Sequence, residues 1–212
     1  MKVIEENTTL VLAGAFNPAI LTPKWVAVHG LGYSDSQEFQ VEMLSPIGGA
    51  LPSRFSFDGF SYSAAYNLMT LHLKKADLAQ SQRSIGAMAE ILSKLSHTPI
   101  NGLGFNFGFL IEEPTETLLQ LLTTHDPMTD SFSEDAEVVT RKWGNVIKWE
   151  NSLVSVDCES AGGQVTLFFN FHYSIRSAME AEQILREQNI FEKHLERAVV
   201  AAKALSGQDL EG

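Results

Sequence analysis

The residues able to do chemistry in this 212-residue chain are few and scattered. Its six histidines, His29, His72, His97, His125, His172 and His194, include no pair at i+2, i+3 or i+4, so the chain forms no local metal-ligating motif. Cys158 is the single cysteine. It shares one side of a strand pattern with Val154 and Val156, and no basic neighbour is present to stabilise its thiolate. The spacing predicts a buried, inert thiol. His125 and Asp126, with Asp130 and Asp135, offer carboxylates, but without the glycine and the bidentate Glu that a calcium loop requires. Phosphate-cradling, dinucleotide, zinc-peptidase, dithiol and nucleophile-elbow patterns do not occur. Gly102, Gly104 and Gly108 fall inside a strand pattern, not at a strand-to-helix turn, which excludes a dinucleotide loop. No cofactor, metal or catalytic residue is expected.

One polar set is placed differently. Asn106 and Asn170 each sit in a Phe-Asn-Phe triplet, and His172 shares a strand face with Asn170. Amides flanked by large aromatics must be at least partly buried and therefore hydrogen-bonded. They either fix strand register or orient a ligand in a pocket between sheet and helices.

The elements that must position these residues are legible in the pattern. Leu10–Phe16 reads as a strand, and Thr22-Pro23 as a helix cap followed by a first-turn proline. Phe39, Val41 and Met43 alternate with polar residues as in a half-buried strand. Asp58-Gly59, between Phe55/Phe57 and Phe60/Tyr62, predicts a tight hairpin. The run Phe60–Leu73 exceeds one strand, with a break expected at Ala64-Ala65. Leu78, Ile85, Met88, Ala89, Leu92 and Leu95 form one helical face after an Asp77 cap. In Ile100–Glu112 the large side chains of Leu103, Phe105, Phe107, Phe109 and Ile111 alternate with small or polar ones. The aromatic side must be core, and the glycine side is expected to admit a helix or another backbone. A short helix follows Pro114-Thr115. Strands are expected at Val138–Trp143, Val146–Trp149, Leu153–Cys158 and Val165–Tyr173, with turns at Gly144-Asn145, Asn151-Ser152 and Gly162-Gly163. Ser177 opens a helical region through a capping box, broken near Asn189.

This order predicts an α+β fold, a largely antiparallel sheet covered by long helices, within a single domain spanning residues 1–212. Both halves read strand, short helix, three or four strands, long helix, so a tandem β-α-β(3-4)-α duplication is expected, with pseudo-repeats at 8–97 and 98–206. Phe16-Asn17 and Phe105-Asn106 mark corresponding openings in that reading. The element order is similar to the saddle of the TATA-binding protein, an analogy of topology that implies no function.

The charge is uneven. Residues 1–106 carry 8 acidic and 7 basic side chains, residues 107–212 carry 18 and 8, and the formal net charge is −11. No Lys or Arg lies between Lys94 and Arg141, an interval that holds Asp126, Asp130, Glu134, Asp135 and Glu137. That field repels phosphate backbones, so no direct nucleic-acid partner is expected. It suits a solvated acidic loop or a patch for a basic protein. The charged start of the chain, the absence of a long apolar run and the lone cysteine suggest a cytoplasmic protein with no membrane partner.

Two segments, Phe16-Asn17-Pro18-Ala19-Ile20-Leu21-Thr22-Pro23-Lys24-Trp25 and Leu95-Ser96-His97-Thr98-Pro99-Ile100-Asn101-Gly102-Leu103-Gly104-Phe105-Asn106, resemble signatures in a group of bacterial α+β proteins with no assigned activity. The resemblance implies a bacterial cytoplasmic origin and carries over no site residue.

Three functional expectations follow. The first is a non-catalytic protein-binding or assembly module, capable of self-association and presenting Asp126, Asp130, Glu134, Asp135 and Glu137. The second is a small-molecule binder or enzyme with a pocket near Asn106, Asn170 and His172. The third is a phage- or defence-associated regulator acting through an acidic surface.

Overall fold

A computed structural model of the chain describes residues 1–45, 52–73, 77–122 and 139–211. Its strands are β1 (Lys2–Gly14), β2 (Glu42–Leu44), β3 (Arg54–Phe57), β4 (Phe60–Ala64), β5 (Leu68–His72), β6 (Ile100–Ile111), β7 (Thr140–Trp149), β8 (Ser152–Ala161) and β9 (Gln164–Ser174). Its helices are α1 (Pro23–Gly30), α2 (Leu78–Lys94), α3 (Glu116–Leu122), α4 (Ala178–Leu185) and α5 (Ile190–Ser206). The nine strands make one antiparallel sheet in the order β2-β3-β4-β5-β1-β6-β9-β8-β7. The fold is α+β. None of the described helices is long and apolar enough to cross a membrane.

β1 and β6 lie side by side at the middle, and each half of the chain folds outward from its own central strand. After β1 and α1, the chain runs to the far edge at β2 and returns strand by strand to β5, which pairs with β1. After β6 and α3, it goes to the other edge at β7 and returns through β8 to β9, which pairs with β6. The two Phe-Asn pairs are not equivalent in this arrangement. Asn17 follows the end of β1, where its side chain accepts from the Ala19 amide, whereas Asn106 sits in mid-strand opposite Asn170.

Local signals account for the element ends. Thr22 accepts from the Trp25 amide at the start of α1, Asp77 accepts from the Gln80 amide at the start of α2, and Ser177 caps α4 through Glu180. Asp58 and Gly59 adopt φ of 46° and 73°, the left-handed pair that a tight hairpin needs. Asn189, at φ 55°, separates α4 from α5. Phe60–Leu73 divides into β4 and β5 around Ala65, as its length required.

Three expectations need correction. Of the alternating stretch Phe39–Met43 only the end is strand, because β2 pairs with β3 over Glu42–Leu44 alone. Gly144-Asn145 is not a turn. β7 is one ten-residue strand, in register with β8 from Thr140↔Ala161 to Trp149↔Ser152. Pairing with β8 holds Gly144 extended, and the reversal comes at Glu150, whose φ is 50°. The glycine side of β6 meets no described helix either.

All the aromatic residues of β6 point to the face the helices cover. Phe105 stacks on His194 of α5 with centroids 4.6 Å apart, Phe107 meets Phe191 of α5, and Phe109 packs edge-on to Phe169. Leu10, Leu12, Leu103, Phe171 and Val156 join the same core with Val26, Ile85, Leu92 and Ala198 from the helices. Each helix packs into this layer, α1, α4 and α5 against α2, and α3 against α5. The other face therefore carries the small and polar residues, and no described helix covers it. Gly102 and Gly104 lie there beneath the side chains of His172 and Asn170.

Candidate functional site

Pairing registers place one polar side chain from each of seven neighbouring strands in a single transverse row on the uncovered face. Ser56 of β3 is opposite Ser61 of β4, and continuation of the β4–β5 register sets Ser61 beside His72. His72 is opposite Thr9, Thr9 opposite Asn106, Asn106 opposite Asn170, and Asn170 opposite Ser155. Directly opposed residues of an antiparallel sheet share a face with Cβ atoms about 5 Å apart, so short side chains can bond along the row. They do so in two groups. Asn170 donates Nδ2–H to Asn106 Oδ1 at 2.5 Å, and Asn106 donates Nδ2–H to Thr9 Oγ1 at 3.0 Å. At the other end, Ser56 and Ser61 share a bond at 2.9 Å, and Arg54 donates Nε–H to Ser61 at 2.8 Å.

His72 stands between these groups, half-buried, with Nδ1 buried and without a hydrogen-bond partner among the described residues. Burial, and then the nearby Arg54 charge, lowers its pKa to about 4, so the ring is neutral near pH 7. His172 lies on the same face but one step out of the row, opposite Gly104 and Leu153. Thus the structure brings Asn106 and Asn170 into one bonded set and leaves His172 beside it.

The sequence offers no sign of what frames the amides. Between Ile4↔Gly108 and Thr9↔Asn106, four residues of β1 (5–8) oppose the single residue Phe107. This bulge is anchored by Thr8, whose hydroxyl donates to Ile4 O and whose carbonyl accepts from the Leu73 amide. It sets Glu6 and Asn7 beside the amide row, forming a shallow hollow of about 360 Å³ with Thr9, Asn106, Asn170, Asp157 and Phe168. A second hollow of about 420 Å³ shares Asp157 and Phe168 and continues over Gly144 to Lys142 on the edge strand. Side-chain acceptors and donors, a half-exposed aromatic ring and two exposed carboxylates therefore line a depression from sheet centre to sheet edge.

Cys158 and His194 both lie in the core. Cys158 is buried at 2% exposure, and burial pushes its thiol up to about 11, the opposite of an activated nucleophile. His194 is wholly buried in α5, with Nδ1 bonded to Ile190 O at 2.6 Å and Nε2 to the Tyr173 hydroxyl at 2.7 Å. The neutral tautomer with hydrogen on Nδ1 satisfies both, and desolvation holds its pKa below the ordinary histidine value. Among the described residues no group of three or more His, Cys, Asp or Glu could hold a metal ion. Asp126, Asp130, Glu134, Asp135 and Glu137, with His125, lie outside the described residues.

No family model matches the chain, no curated protein matches its sequence, and no solved structure matches its fold.

Proposed function

We propose that this protein is a non-catalytic protein-binding or assembly module that works by adding a strand to its sheet. The observation that carries this reading is β7. It is ten residues long, forms the end of the sheet, and pairs on its outer side with no strand among the described residues. An edge of that length presents a row of backbone donors and acceptors to any extended segment. Apolar area lies beside it, with Val146 68%, Ile147 52% and Val139 77% exposed. The opposite edge, β2, has three residues and offers far less.

Light scattering on a size-exclusion column over a wide concentration range, followed by capture of partners from a lysate, tests the reading. A particle that stays monomeric and retains no partner overturns it. An added proline in mid-β7 at a residue whose N–H faces away from β8, such as Val146→Pro, is expected to abolish both kinds of association by removing an edge donor. Replacing Asp126, Asp130, Glu134, Asp135 and Glu137 with amides tests separately the expectation that a basic protein binds the acidic segment.

The hollow at Asn106 and Asn170 favours a second reading, a small polar ligand bound on the uncovered face. Asn170 Oδ1 makes no hydrogen bond to a described residue and stands beside the ring of Phe168 and two carboxylates. Titration of amine- and hydroxyl-bearing small molecules, followed by the side-chain amide resonances of the two asparagines, checks it. Unmoved resonances at millimolar ligand exclude it.

A further inference from the structure

We infer that the strand added to β7 is the β7 of a second copy, paired antiparallel about Val146, and that Asp157 of each subunit receives Lys148 of the other. The inference rests on the strand-addition reading above and supplies its partner and register.

Lys142, Gly144, Val146 and Lys148 point to the uncovered face of the sheet, as their partners Glu159, Asp157, Ser155 and Leu153 on β8 do. In an antiparallel pair, opposed residues share a face, so a second β7 can dock only in registers that place even-numbered residues opposite even-numbered ones. Pairing about Asn145 would set Lys142 against Lys148 twice, a like-charge opposition that disfavours the register. Pairing about Gly144 opposes two glycines and matches no charge. Pairing about Ile147 shortens the overlap.

Pairing about Val146 opposes residues 143–149 of the two strands with no like-charge pair. It sets valine against valine on the two-fold axis, Trp143 against Trp149 of the other copy on the helix-covered face, and Lys148 against Gly144. Gly144 is the reason that last pair matters. A Cβ on Gly144 would lie only 2.6 Å from Asp157 Oδ1, so the carboxylate leans from β8 over the glycine toward the open edge. A lysine on an incoming strand opposite Gly144 meets it directly.

Asp157 is exposed and forms no ion pair among the described residues, whereas the neighbouring Glu159 is already bound to Lys142 at 2.8 Å. Lys148 is likewise exposed and forms no ion pair among the described residues. The half-exposed Phe168 ring lines the same hollow. Lysines on an edge strand ordinarily discourage indiscriminate pairing. Here they penalise the register about Asn145 and reward the one about Val146. The result is an isologous dimer with one continuous sheet and two symmetric ion pairs.

Charge swapping decides the matter, with the self-association constant measured by sedimentation equilibrium on the full chain. Asp157→Lys and Lys148→Asp alone are each expected to weaken the dimer by about tenfold or more, since each replaces two attractions with two repulsions. Combined in one chain they are expected to restore the wild-type constant to within roughly threefold. Both positions are exposed, so folding is retained, which circular dichroism checks. Val146→Cys should form an intermolecular disulfide on mild oxidation, because the two valines meet at the axis. A dimer indifferent to both single swaps, or a double swap no better than the singles, overturns the register while leaving strand addition standing. A monomer that captures a different protein through β7 overturns self-pairing alone. A monomer that captures nothing overturns both.

Discussion

Asn170 donates a hydrogen bond to Asn106 across β9 and β6, and Asn106 passes a second to Thr9 on β1. Two amides and a hydroxyl thereby tie the second half of the chain to the first at the centre of the sheet. The middle member is satisfied from both sides, so truncating it orphans both neighbours.

Asn106→Ala is expected to cost about 1–3 kcal/mol, the penalty for leaving partly buried polar groups unpaired. Asn170→Ala should cost less, because it removes only the terminal donor. In a double-mutant cycle by urea denaturation the two losses should fall short of additivity by about 0.5–1.5 kcal/mol. Strict additivity would mean that the bond contributes nothing to stability.

Gly104→Ala and Gly14→Ala separate a yielding neighbour from an unyielding one. A Cβ at Gly104 meets Asn170 Nδ2 at 2.9 Å, the free end of a side chain that can turn away. The cost should be near that of one hydrogen bond, about 1 kcal/mol, with the Asn106 amide resonances displaced. At Gly14 the nearest atom is the Pro99 carbonyl oxygen at 2.4 Å, which also accepts from the Ala15 amide. That backbone cannot give, and a loss of about 2–3 kcal/mol is expected. Equal costs would contradict the packing around Gly14.

Stability should fall as the pH is lowered from about 6.5 toward 4. His72 is held neutral down to about 4 by burial and by Arg54, while in the unfolded chain it protonates near its ordinary value of 6.5. The unfolded state thus binds more protons within that window, and protonation favours unfolding. His194, depressed by desolvation, acts with the same sign. Urea midpoints between pH 7.5 and 4.5 measure the slope, and His72→Gln should flatten it. A variant as steep as the wild type would show that His72 does not titrate differently on folding.

Tyr173→Phe leaves the His194 Nε2 acceptor buried without its donor and is expected to cost about 1–2 kcal/mol. His194→Ala removes the acceptor of the tyrosine hydroxyl and a ring packed against Phe105, Phe171 and Trp149, for a loss of about 3 kcal/mol or more. Chemical denaturation checks the ranking, and a reversed order would place the hydroxyl bond above the packing.

The sequence alone determined those features that arise within a few residues. Helix caps at Thr22, Asp77 and Ser177, the hairpin at Asp58-Gly59 and the phase of the Phe-rich strands are each set by one turn or one period of side chains. These were enough for the α+β class. They were also enough to single out Asn106 and Asn170, because a polar residue inside an aromatic strand stands out against its neighbours.

Only the tertiary structure decided what those residues meet. A strand that continues through Gly144-Asn145 depends on β8 holding it extended, which no local signal encodes. The bulge at residues 5–8 follows from fitting β1 against β6, and it carries Glu6 and Asn7 to the amide row. The place of His172 outside that row depends on strand register. So does the lean of Asp157 over Gly144, since register joins residues far apart in the chain and is fixed only when the whole sheet packs beneath its helices.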